Sequence, residues 1–384
     1  MGKSIAVLGS TGSIGTQALE VIAALGWRVS ALTARRSAAL LEEQARRFRP
    51  KMAALADEAA ARALKQSLRD TDIRVLAGES GVAECAAAQC DIALNGIVGV
   101  AGLRPSVAAL EAGHALALAN KESLVAGGAF ITRLAREKNL PILPVDSEHS
   151  AVFQCLQGLR SKTELRRVIL TASGGAFYGK SREALRHATA ADALRHPNWS
   201  MGAKITVDSA TMFNKGLEIM EAAWLFGLPA ERVDVWIHRQ SVVHSLIECA
   251  DGAVLAQFGA PDMRLPIQYA LTWPERRACP GKRLNLADWG TLTFEPPDDA
   301  TFPAMRLCRE AYQMGGLAGA VLNGANEAAN ALFRAGKIGF LEIAALVEAA
   351  LRGVPHGSAE SLDDVFQADQ YARERVHALQ KGTV

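Results

Sequence analysis

The first 120 residues or so alternate short apolar runs with amphipathic segments, and this alternation restricts the fold more than any other feature of the 384-residue chain. The apolar runs have the length of buried strands, and the segments between them show helical spacing of apolar residues. Such a rhythm predicts an α/β fold that begins with a doubly wound parallel sheet. The predicted strands cover residues 4–8, 28–33, 52–55, 73–76 and 115–119, with another from residue 91. The predicted helices cover residues 16–25, 38–48, 57–68, 78–88 and 103–112.

Three glycines lie between the first predicted strand and the first predicted helix, in the sequence Gly9-Ser-Thr-Gly12-Ser-Ile-Gly15. In dinucleotide-binding sheets a turn of this kind lets the backbone approach the pyrophosphate, whose charge faces the helix N-terminus. The spacing here is a variant of the usual fingerprint, and a glycine turn alone is a weak signal. Its position at the first strand–helix junction favours nucleotide binding in a Rossmann-like domain.

Two arginines follow the second predicted strand, in Ala34-Arg35-Arg36-Ser37. A site that prefers NAD usually carries an acidic residue there, about 20 residues past the glycine turn. Guanidinium groups pair well with a 2′-phosphate, so this arrangement predicts NADP(H). The alternative is a pair of solvated arginines at a helix start.

The overall charge predicts neither a nucleic-acid partner nor a membrane surface. Lys plus Arg number 42 against 40 for Asp plus Glu, so the net charge is only +2. The six cysteines are scattered without metal-binding spacing, and we expect reduced thiols. Because the sequence also shows no signal-peptide pattern and no apolar run of membrane-spanning length, we expect a soluble cytoplasmic protein.

A second chemical stretch lies at Pro141-Ile-Leu-Pro-Val-Asp146-Ser147-Glu148-His149-Ser150. If the backbone stays extended past Val145, Asp146 and Glu148 point to one side. Two carboxylates on one side suit a hard cation, and ligands that are all oxygen favour Mg²⁺ or Mn²⁺. A polar helix start is an equal alternative, because Asp and Ser followed by Glu also resemble a helix cap.

Small and flexible residues follow the next predicted strand, which covers residues 168–171. The turn Ala172-Ser173-Gly174-Gly175 carries N–H groups and a hydroxyl that suit an anion. Residues 196–202 read as a loop containing His196, Trp199 and Met201, and we interpret this loop as a lid.

The candidate reaction centre is the stretch 204–222, predicted as a short strand followed by a helix that Asn214 caps. Lys215 and Glu218 are three residues apart and are therefore neighbours on the helix surface. With Ser209 and Asn214, Lys215 forms a plausible phosphate cradle, while Glu218 offers a carboxylate for a cation. Taken alone, the segment favours an ordinary capped surface helix with an ion pair, because such helices are common.

The remainder predicts a small open sheet and a helical C-terminus. Strands are predicted over residues 233–237, 242–248 and 254–258, in a mixed or antiparallel sheet that could pair subunits. Helices are predicted over residues 304–314, 317–334, 340–351 and 361–379. The predicted organisation is an NADPH-binding domain (1–146), a central α+β catalytic and dimerisation domain (147–272), a proline-rich linker (273–298) and a C-terminal helical bundle (299–384).

Six motifs together resemble, in order and along the whole chain, the 1-deoxy-D-xylulose 5-phosphate reductoisomerase family. The motifs are Gly-Ser-Thr-Gly-Ser-Ile-Gly, Ala-Asn-Lys-Glu-Ser-Leu-Val, Pro-Val-Asp-Ser-Glu-His-Ser, Thr-Ala-Ser-Gly-Gly, His-Pro-Asn-Trp-Ser-Met-Gly and Val-Asp-Ser-Ala-Thr-Met-Phe-Asn-Lys-Gly-Leu-Glu. The resemblance implies a homodimeric enzyme that rearranges the substrate's carbon skeleton. It then reduces the resulting aldehyde with NADPH to 2-C-methyl-D-erythritol 4-phosphate, an isoprenoid precursor.

The resemblance also implies roles for individual residues. The implied metal ligands are Asp146, Glu148 and Glu218. Those implied for the phosphate are Ser173, Ser209, Asn214 and Lys215, and those for the other substrate oxygens are Lys121, Ser147, Glu148 and Glu218. Lys121, Glu148, His196, Lys215 and Glu218 are the implied catalytic residues, and His196 and Trp199 would close over the substrate.

The implied NADPH contacts are Thr11, Gly12, Ser13, Ile14, Asn120, Glu122 and Gly202, to which the residues after the second strand add Arg35, Arg36 and Ser37. Where the family usually shows Gly-x-Asn, this chain has Arg35-Arg36-Ser37, and Arg36 aligns with the family's basic residue. A different NADP-dependent dehydrogenase of a phosphorylated substrate would not need three carboxylates on a metal. A nucleotide sensor without activity would need neither metal nor lid.

Overall fold

The computed structural model describes residues 2–195, 202–353 and 357–382. Its contacts divide the chain into two compact units. The first unit comprises Met1–Ser123, Ala129–Ser150 and Asp262–Lys282, and the second comprises Leu124–Gly128, Ala151–Pro261 and Arg283–Val384. Among the described residues, none of the helices combines the length and the apolar character needed to span a membrane.

The first unit is built on a parallel sheet of seven strands, which confirms the predicted doubly wound architecture. The strands are β1 (Ser4–Leu8), β2 (Arg28–Ala34), β3 (Met52–Leu55), β4 (Arg74–Ala77), β5 (Ile92–Asn95), β6 (Ala115–Leu118) and β7 (Ile142–Pro144), in the spatial order β4-β3-β2-β1-β5-β6-β7. The order reverses between β1 and β5, where sheets of this kind bind ligands at the carboxyl ends of their strands.

Helices follow the strands of this sheet in turn. They are α1 (Ser13–Ala24), α2 (Ala38–Phe48), α3 (Glu58–Ser67), α4 (Gly78–Ala87), α5 (Leu103–Glu111), α6 (Lys121–Glu137) and α7 (Ser147–Leu156). Alanines at the centre of the sheet, among them Ala6, Ala31 and Ala93, are fully buried and let these helices pack closely. The first helix begins at Ser13, three residues before the predicted start.

A later helix, α12 (Arg264–Thr272), which the sequence analysis does not predict, belongs to the first unit. It contacts α1, and the Lys3 ammonium donates a hydrogen bond of 2.9 Å to the carbonyl oxygen of Leu271. The predicted catalytic domain includes residues 264–272. Contact groups do not by themselves define domains, so the predicted domain boundaries remain a prediction.

The second unit contains a mixed sheet of four strands, which confirms the predicted open sheet. The strands are β8 (Leu165–Ala172), β9 (Val233–Ile237), β10 (Val243–Cys249) and β11 (Val254–Phe258), in the order β11-β10-β8-β9. β8 and β9 are parallel, and β10 is antiparallel to both β8 and β11.

Helices fill the rest of the second unit. They are α8 (Arg182–Leu185), α9 (Ala190–Ala193), α10 (Ala203–Ala210), α11 (Phe213–Phe226), α13 (Ala304–Met314), α14 (Ala318–Arg334), α15 (Phe340–Gly353) and α16 (Leu362–Gln380). The four C-terminal helices confirm the predicted helical region. α14 contacts both α15 and α16, and its apolar residues join those of α11 and β8 in one buried core.

The predicted strand at the start of the stretch 204–222 is wrong, because residues 203–210 form helix α10. Thr206, Val207 and Asp208 are buried on that helix. Tertiary burial therefore overrides the strand preference of its β-branched residues.

Candidate active site

The glycine turn has the backbone geometry that the sequence predicts. Gly9 has φ +80°, a conformation that residues with a side chain rarely adopt. At Gly15 a Cβ atom would lie 2.3 Å from the carbonyl oxygen of Gly9, so only glycine lets the first turn of α1 pack against the loop. The turn is thus fixed by two positions that exclude other residues.

Helix α1 begins directly in this turn. Its N-cap residue is Gly12, which offers no side-chain hydrogen bond, and its first turn holds no acidic residue. Thr11, Ser13 and Ile14 lie in the same turn and are not buried. The first backbone N–H groups and the positive end of the helix dipole are therefore available to an anion.

Arg35, Arg36 and Ser37 follow β2 and are exposed. The Nε of Arg36 lies 3.1 Å from the Oδ2 of Asp57, whose other oxygen accepts a hydrogen bond from the backbone of Ala60 at the start of α3. Because the Arg36 side chain is 72% exposed, this ion pair is weak and leaves the guanidinium accessible.

The amide of Asn120, the N-cap residue of α6, ties the ends of β5 and β6 together. Its Nδ2 donates to the carbonyl oxygens of Ile97 (2.5 Å) and Gly99 (2.9 Å) and to the Oε2 of Glu122 (3.1 Å). Its Oδ1 accepts a hydrogen bond from the N–H of Ser123. Asn120 and Glu122 therefore lie together at the carboxyl edge of the sheet, where the sequence predicts cofactor contacts.

The residues after β7 do not continue as a strand, so the predicted extended geometry past Val145 is wrong. Helix α7 begins at Ser147, and the backbone N–H of Glu148 donates to the Oδ1 of Asp146 at 3.2 Å. The hydroxyl of Ser147 donates to the Oε2 of Glu148 at 2.5 Å. The local backbone is therefore that of a polar helix start, and the assignment of Asp146 and Glu148 to a cation stays a prediction.

Asp146 is held between two basic groups of the first unit. Its Oδ2 accepts a hydrogen bond of 2.7 Å from the Nζ of Lys121, and its Oδ1 lies 3.1 Å from the Nδ1 of the buried His149. Burial opposes ionisation of this carboxyl group, but the charge of Lys121 and the contact with His149 outweigh it and hold the pKa of Asp146 well below its ordinary value. Asp146 is thus a carboxylate at neutral pH, as a metal ligand must be.

In the second unit, α11 begins at Phe213 and its N-cap residue is Met212, which has φ +64°. The predicted cap at Asn214 is therefore wrong. Asn214 is the second residue of the helix, and its Nδ2 donates to the Oε1 of Glu218 at 2.5 Å. The other oxygen of Glu218 pairs with the ammonium of Lys215, so the predicted proximity of Lys215 and Glu218 is confirmed.

Lys215 and Glu218 are buried, at 4% and 1% exposure of their side chains. An exposed ion pair three residues apart is common on helices, but burial of both charges is costly and needs additional partners. The burial of this pair favours a functional site over the ordinary surface helix.

The turn after β8 packs against the end of α10. Gly174 and Gly175 have φ of +81° and +68°, and a Cβ atom at Gly175 would lie 2.5 Å from the carbonyl oxygen of Ser209. The backbone N–H of Gly175 donates to the Oγ of Ser173 at 3.2 Å. Ser173 and Ser209 are thereby carried on two segments in direct contact, as a shared phosphate site requires.

Two polar residues near these segments were not singled out from the sequence. Asp208 is almost fully buried and accepts hydrogen bonds from Asn326 and Asn330 of α14. Arg239 follows β9, and its Nη1 donates to the carbonyl oxygen of Ser173 at 2.6 Å. No local pattern identifies either contact, since the partners are 66 to 122 positions apart in sequence.

The lid interpretation rests on His196, Trp199 and Met201, which lie outside the described residues. Gly202, the last residue of the predicted lid, is described and is the N-cap residue of α10.

Comparison with known proteins covers nearly the whole chain. A family model described as 1-deoxy-D-xylulose 5-phosphate reductoisomerase matches residues 5–128, and models of two C-terminal domains of the same enzyme match residues 142–226 and 258–375. The relative from Gloeobacter violaceus is 53% identical over 382 residues, which are 98% of this chain and 97% of the relative.

The chain belongs to the 1-deoxy-D-xylulose 5-phosphate reductoisomerase family. The resemblance seen in the six motifs is thereby confirmed. A family member from Rhodospirillum centenum is 51% identical, over 97% of this chain and 92% of its own length.

Solved structures of the family have the same fold. A reductoisomerase from Zymomonas mobilis, described in complex with NADPH, is 41% identical with a TM-score of 0.93 and covers 99% of both chains. A second, described in complex with NADPH, fosmidomycin and magnesium, is 38% identical with a TM-score of 0.94 and covers 99% of this chain and 98% of its own.

Proposed function

We propose that this protein converts 1-deoxy-D-xylulose 5-phosphate to 2-C-methyl-D-erythritol 4-phosphate by isomerisation and NADPH-dependent reduction with a divalent metal, in the non-mevalonate route to isoprenoid precursors. Family membership along the whole chain supports the activity. The observation in the structure that carries the proposal is the buried Lys215–Glu218 pair beside Asn214. It places an ammonium, an amide and a carboxylate at one helix start.

NADPH is the proposed cofactor, and the solved relative in complex with NADPH supports it. The glycine turn fits a pyrophosphate, because Gly9 and Gly15 keep the backbone open and the start of α1 is uncapped by side chains. We assign the contacts of this turn to Thr11, Gly12, Ser13 and Ile14. Arg35, Arg36 and Ser37 would meet the 2′-phosphate end, and Asn120, Glu122 and Gly202 the rest of the cofactor.

Mg²⁺ or Mn²⁺ is the proposed metal, held by Asp146, Glu148 and Glu218. The residues fit a hard cation because all three offer carboxylate oxygens and Asp146 is ionised at neutral pH. The relative described with magnesium supports the choice of ion.

The substrate's phosphate is assigned to Ser173, Ser209, Asn214 and Lys215, all in the second unit. The two hydroxyls, the amide and the ammonium can all donate hydrogen bonds to an anion. The buried ammonium of Lys215 also provides a positive charge. The remaining substrate oxygens are assigned to Lys121, Ser147, Glu148 and Glu218.

In the reaction, the bound cation would polarise the substrate's carbonyl as the neighbouring hydroxyl ionises. Neighbouring side chains ionise or orient the carboxylates assigned to the cation. Lys121 keeps Asp146 ionised through its 2.7 Å hydrogen bond, and Asn214 and Lys215 orient the carboxylate of Glu218. His196 and Trp199 are proposed to exclude water from the aldehyde intermediate.

We further propose a cytoplasmic homodimer that pairs through the sheet of the second unit. Its edge strand β11 exposes Val254, Leu255 and Phe258, at 39–47% exposure. An exposed apolar edge strand is a template for pairing with another chain. Light scattering of Leu255→Lys, compared with the unchanged protein, tests the dimer, and an unchanged mass would contradict this surface.

The deciding assay follows NADPH oxidation with 1-deoxy-D-xylulose 5-phosphate, with and without Mg²⁺ or Mn²⁺. We expect no turnover in chelator. Glu218→Gln should lower turnover by several orders of magnitude and leave NADPH binding nearly unchanged, because Glu218 is assigned to the metal and not to the nucleotide.

The matched control is Glu327→Gln. Glu327 is also a helical glutamate in an ion pair, 2.8 Å from Arg373, but it is not assigned to the site. Full activity of the Glu218 variant, or an equal loss in both variants, would contradict the metal assignment.

A further inference from the structure

We propose that Asp208 is a positioning residue for the phosphate site: its buried carboxylate fixes α10 on α14 and so sets where Ser209 stands. The inference rests on the proposed function, because it takes Ser209, Asn214 and Lys215 as the phosphate-binding residues. It assigns Asp208 no contact with the substrate.

The carboxylate of Asp208 is fully engaged by donors. Its Oδ1 accepts hydrogen bonds from the Nδ2 of Asn326 (3.0 Å) and of Asn330 (2.8 Å), and its Oδ2 lies 3.0 Å from the Nζ of Lys204. The residue is 1% exposed. A buried carboxylate is retained at a high desolvation cost, so these contacts must hold it in one place.

Polar side chains of α14 form hydrogen bonds with α10 at two points. Besides Asp208, the carbonyl oxygen of Lys204 in the first turn of α10 accepts a hydrogen bond of 3.0 Å from Asn330. Asn330 is itself oriented by Arg334, whose Nε donates to its Oδ1 at 2.7 Å. Asn326, Asn330 and Arg334 are four residues apart and therefore share one face of α14. That face fixes both the direction and the register of α10.

The connection from this anchor to the phosphate site is short and stiff. Ser209 follows Asp208 directly, and only Thr211 and the left-handed Met212 separate α10 from α11, which carries Asn214 and Lys215. A shift of α10 would therefore move Ser209 relative to Lys215. Misplacement of binding groups by about 1 Å can cost about a hundredfold in rate.

If Asp208 had a purely structural role, its replacement would lower stability without a selective effect on substrate binding. A second carboxylate that packs against α14 provides the control. Asp369 of α16 is also a buried carboxylate, and it accepts a hydrogen bond of 2.8 Å from Asn323 of α14 and one of 2.6 Å from Arg373. The chemistry matches that of Asp208, but Asp369 is assigned to no site. Asp208→Asn and Asp369→Asn should therefore lose similar stability and differ in binding.

The experiment measures melting temperature, the KM values for both substrates, and the affinity for a phosphonate mimic of the sugar phosphate. Asp208→Asn should raise the KM for 1-deoxy-D-xylulose 5-phosphate about tenfold or more and weaken the mimic, since a small displacement of binding groups has large effects. The KM for NADPH should stay within about twofold. Asp369→Asn should change neither KM.

A charge-exchange variant provides a rescue. Asp208→Asn combined with Asn326→Asp restores one carboxylate and one amide across the two helices, and should recover part of the lost affinity. If Asp208→Asn does not fold, Asn326→Leu is compared with Asn323→Leu. Asn326→Leu removes one of the two amides that donate to Asp208 and leaves the other, Asn330, in place.

The outcomes separate this inference from the proposed function. An unchanged protein that does not oxidise NADPH with the sugar phosphate would refute the function itself. With an active protein, equal KM values for the Asp208 and Asp369 variants, or for the Asn326 and Asn323 variants, would overturn the positioning role. A selective rise in the sugar phosphate KM, reversed by the charge exchange, would support it.

Discussion

The turn at Gly174 and Gly175 gives a direct test of how backbone shape supports the phosphate site. Gly175→Ala introduces two separate costs. A residue with a Cβ atom in the left-handed region, here φ +68°, costs about 1–2 kcal/mol. The new Cβ atom would also lie 2.5 Å from the carbonyl oxygen of Ser209 and 2.9 Å from the Cα of Ala210, and such overpacking costs a further 1–3 kcal/mol or so.

Gly179→Ala is the matched control, because Gly179 has φ +73° and its added Cβ would meet no atom within 4 Å. It should show only the first cost. For a folding unit of this size, about 1 kcal/mol lowers the melting temperature by about 2–4 °C. We therefore expect the decrease for Gly175→Ala to be about twice that for Gly179→Ala or more.

Gly175→Ala should also affect the binding of one substrate and not of the other. In Gly175→Ala the turn must move away from α10, which separates Ser173 from Ser209, so the KM for the sugar phosphate should rise while the KM for NADPH stays the same. The assays are thermal denaturation and steady-state kinetics of both variants. Equal melting temperatures and equal KM values in the two variants would refute this account of the turn.

Three further predictions concern cofactor choice, the turn and pH. Replacing Arg35 and Arg36 by Ser should raise the KM for NADPH with little change for NADH, and equal use of both cofactors by the unchanged protein would contradict the assignment. Arg239→Met should raise the KM for the sugar phosphate, because the 2.6 Å hydrogen bond to the carbonyl oxygen of Ser173 is lost; an unchanged KM would show that the turn holds without it. Burial lowers the pKa of His244 to about 4, so its contribution to stability is present above the unfolded pKa near 6.5 and is lost as pH falls towards 4. From pH 7 to pH 5 denaturant unfolding should show a loss of about 2 kcal/mol that is absent in His244→Asn.

The parallel sheet of the first unit could be predicted from sequence because its signal is local. Most of its strands are short runs of buried apolar residues, as in the Ile5 to Leu8 segment, and helices alternate with them along the chain. The glycine turn was predictable for the same reason. Helix α12 was missed because its Pro266 suggests a break, whereas proline is tolerated in the first turn of a helix.

Helix α10 shows why local pattern fails in the second unit. The run Ile205-Thr206-Val207 favours a strand, and nothing near it in sequence indicates that Asp208 is satisfied by α14, more than 100 positions later. The predicted N-cap residue of α11 was wrong, and the reason is similar. Asn214 is a good capping residue, but Met212 adopts a left-handed conformation and the helix starts one residue before Asn214.

The same contrast applies to the site residues. In the first unit the groups Asn120, Lys121 and Asp146 follow strands of a parallel sheet, so their position at its carboxyl edge follows from the strand order. In the second unit the polar groups lie on irregular turns whose conformations depend on tertiary contacts, such as the packing of Gly175 against Ser209. A Gly-Gly pair after a strand was the only local sign of that contact. The residues that position the phosphate site are therefore the ones that sequence patterns are least able to reveal, and they are the ones for which the variants above are most informative.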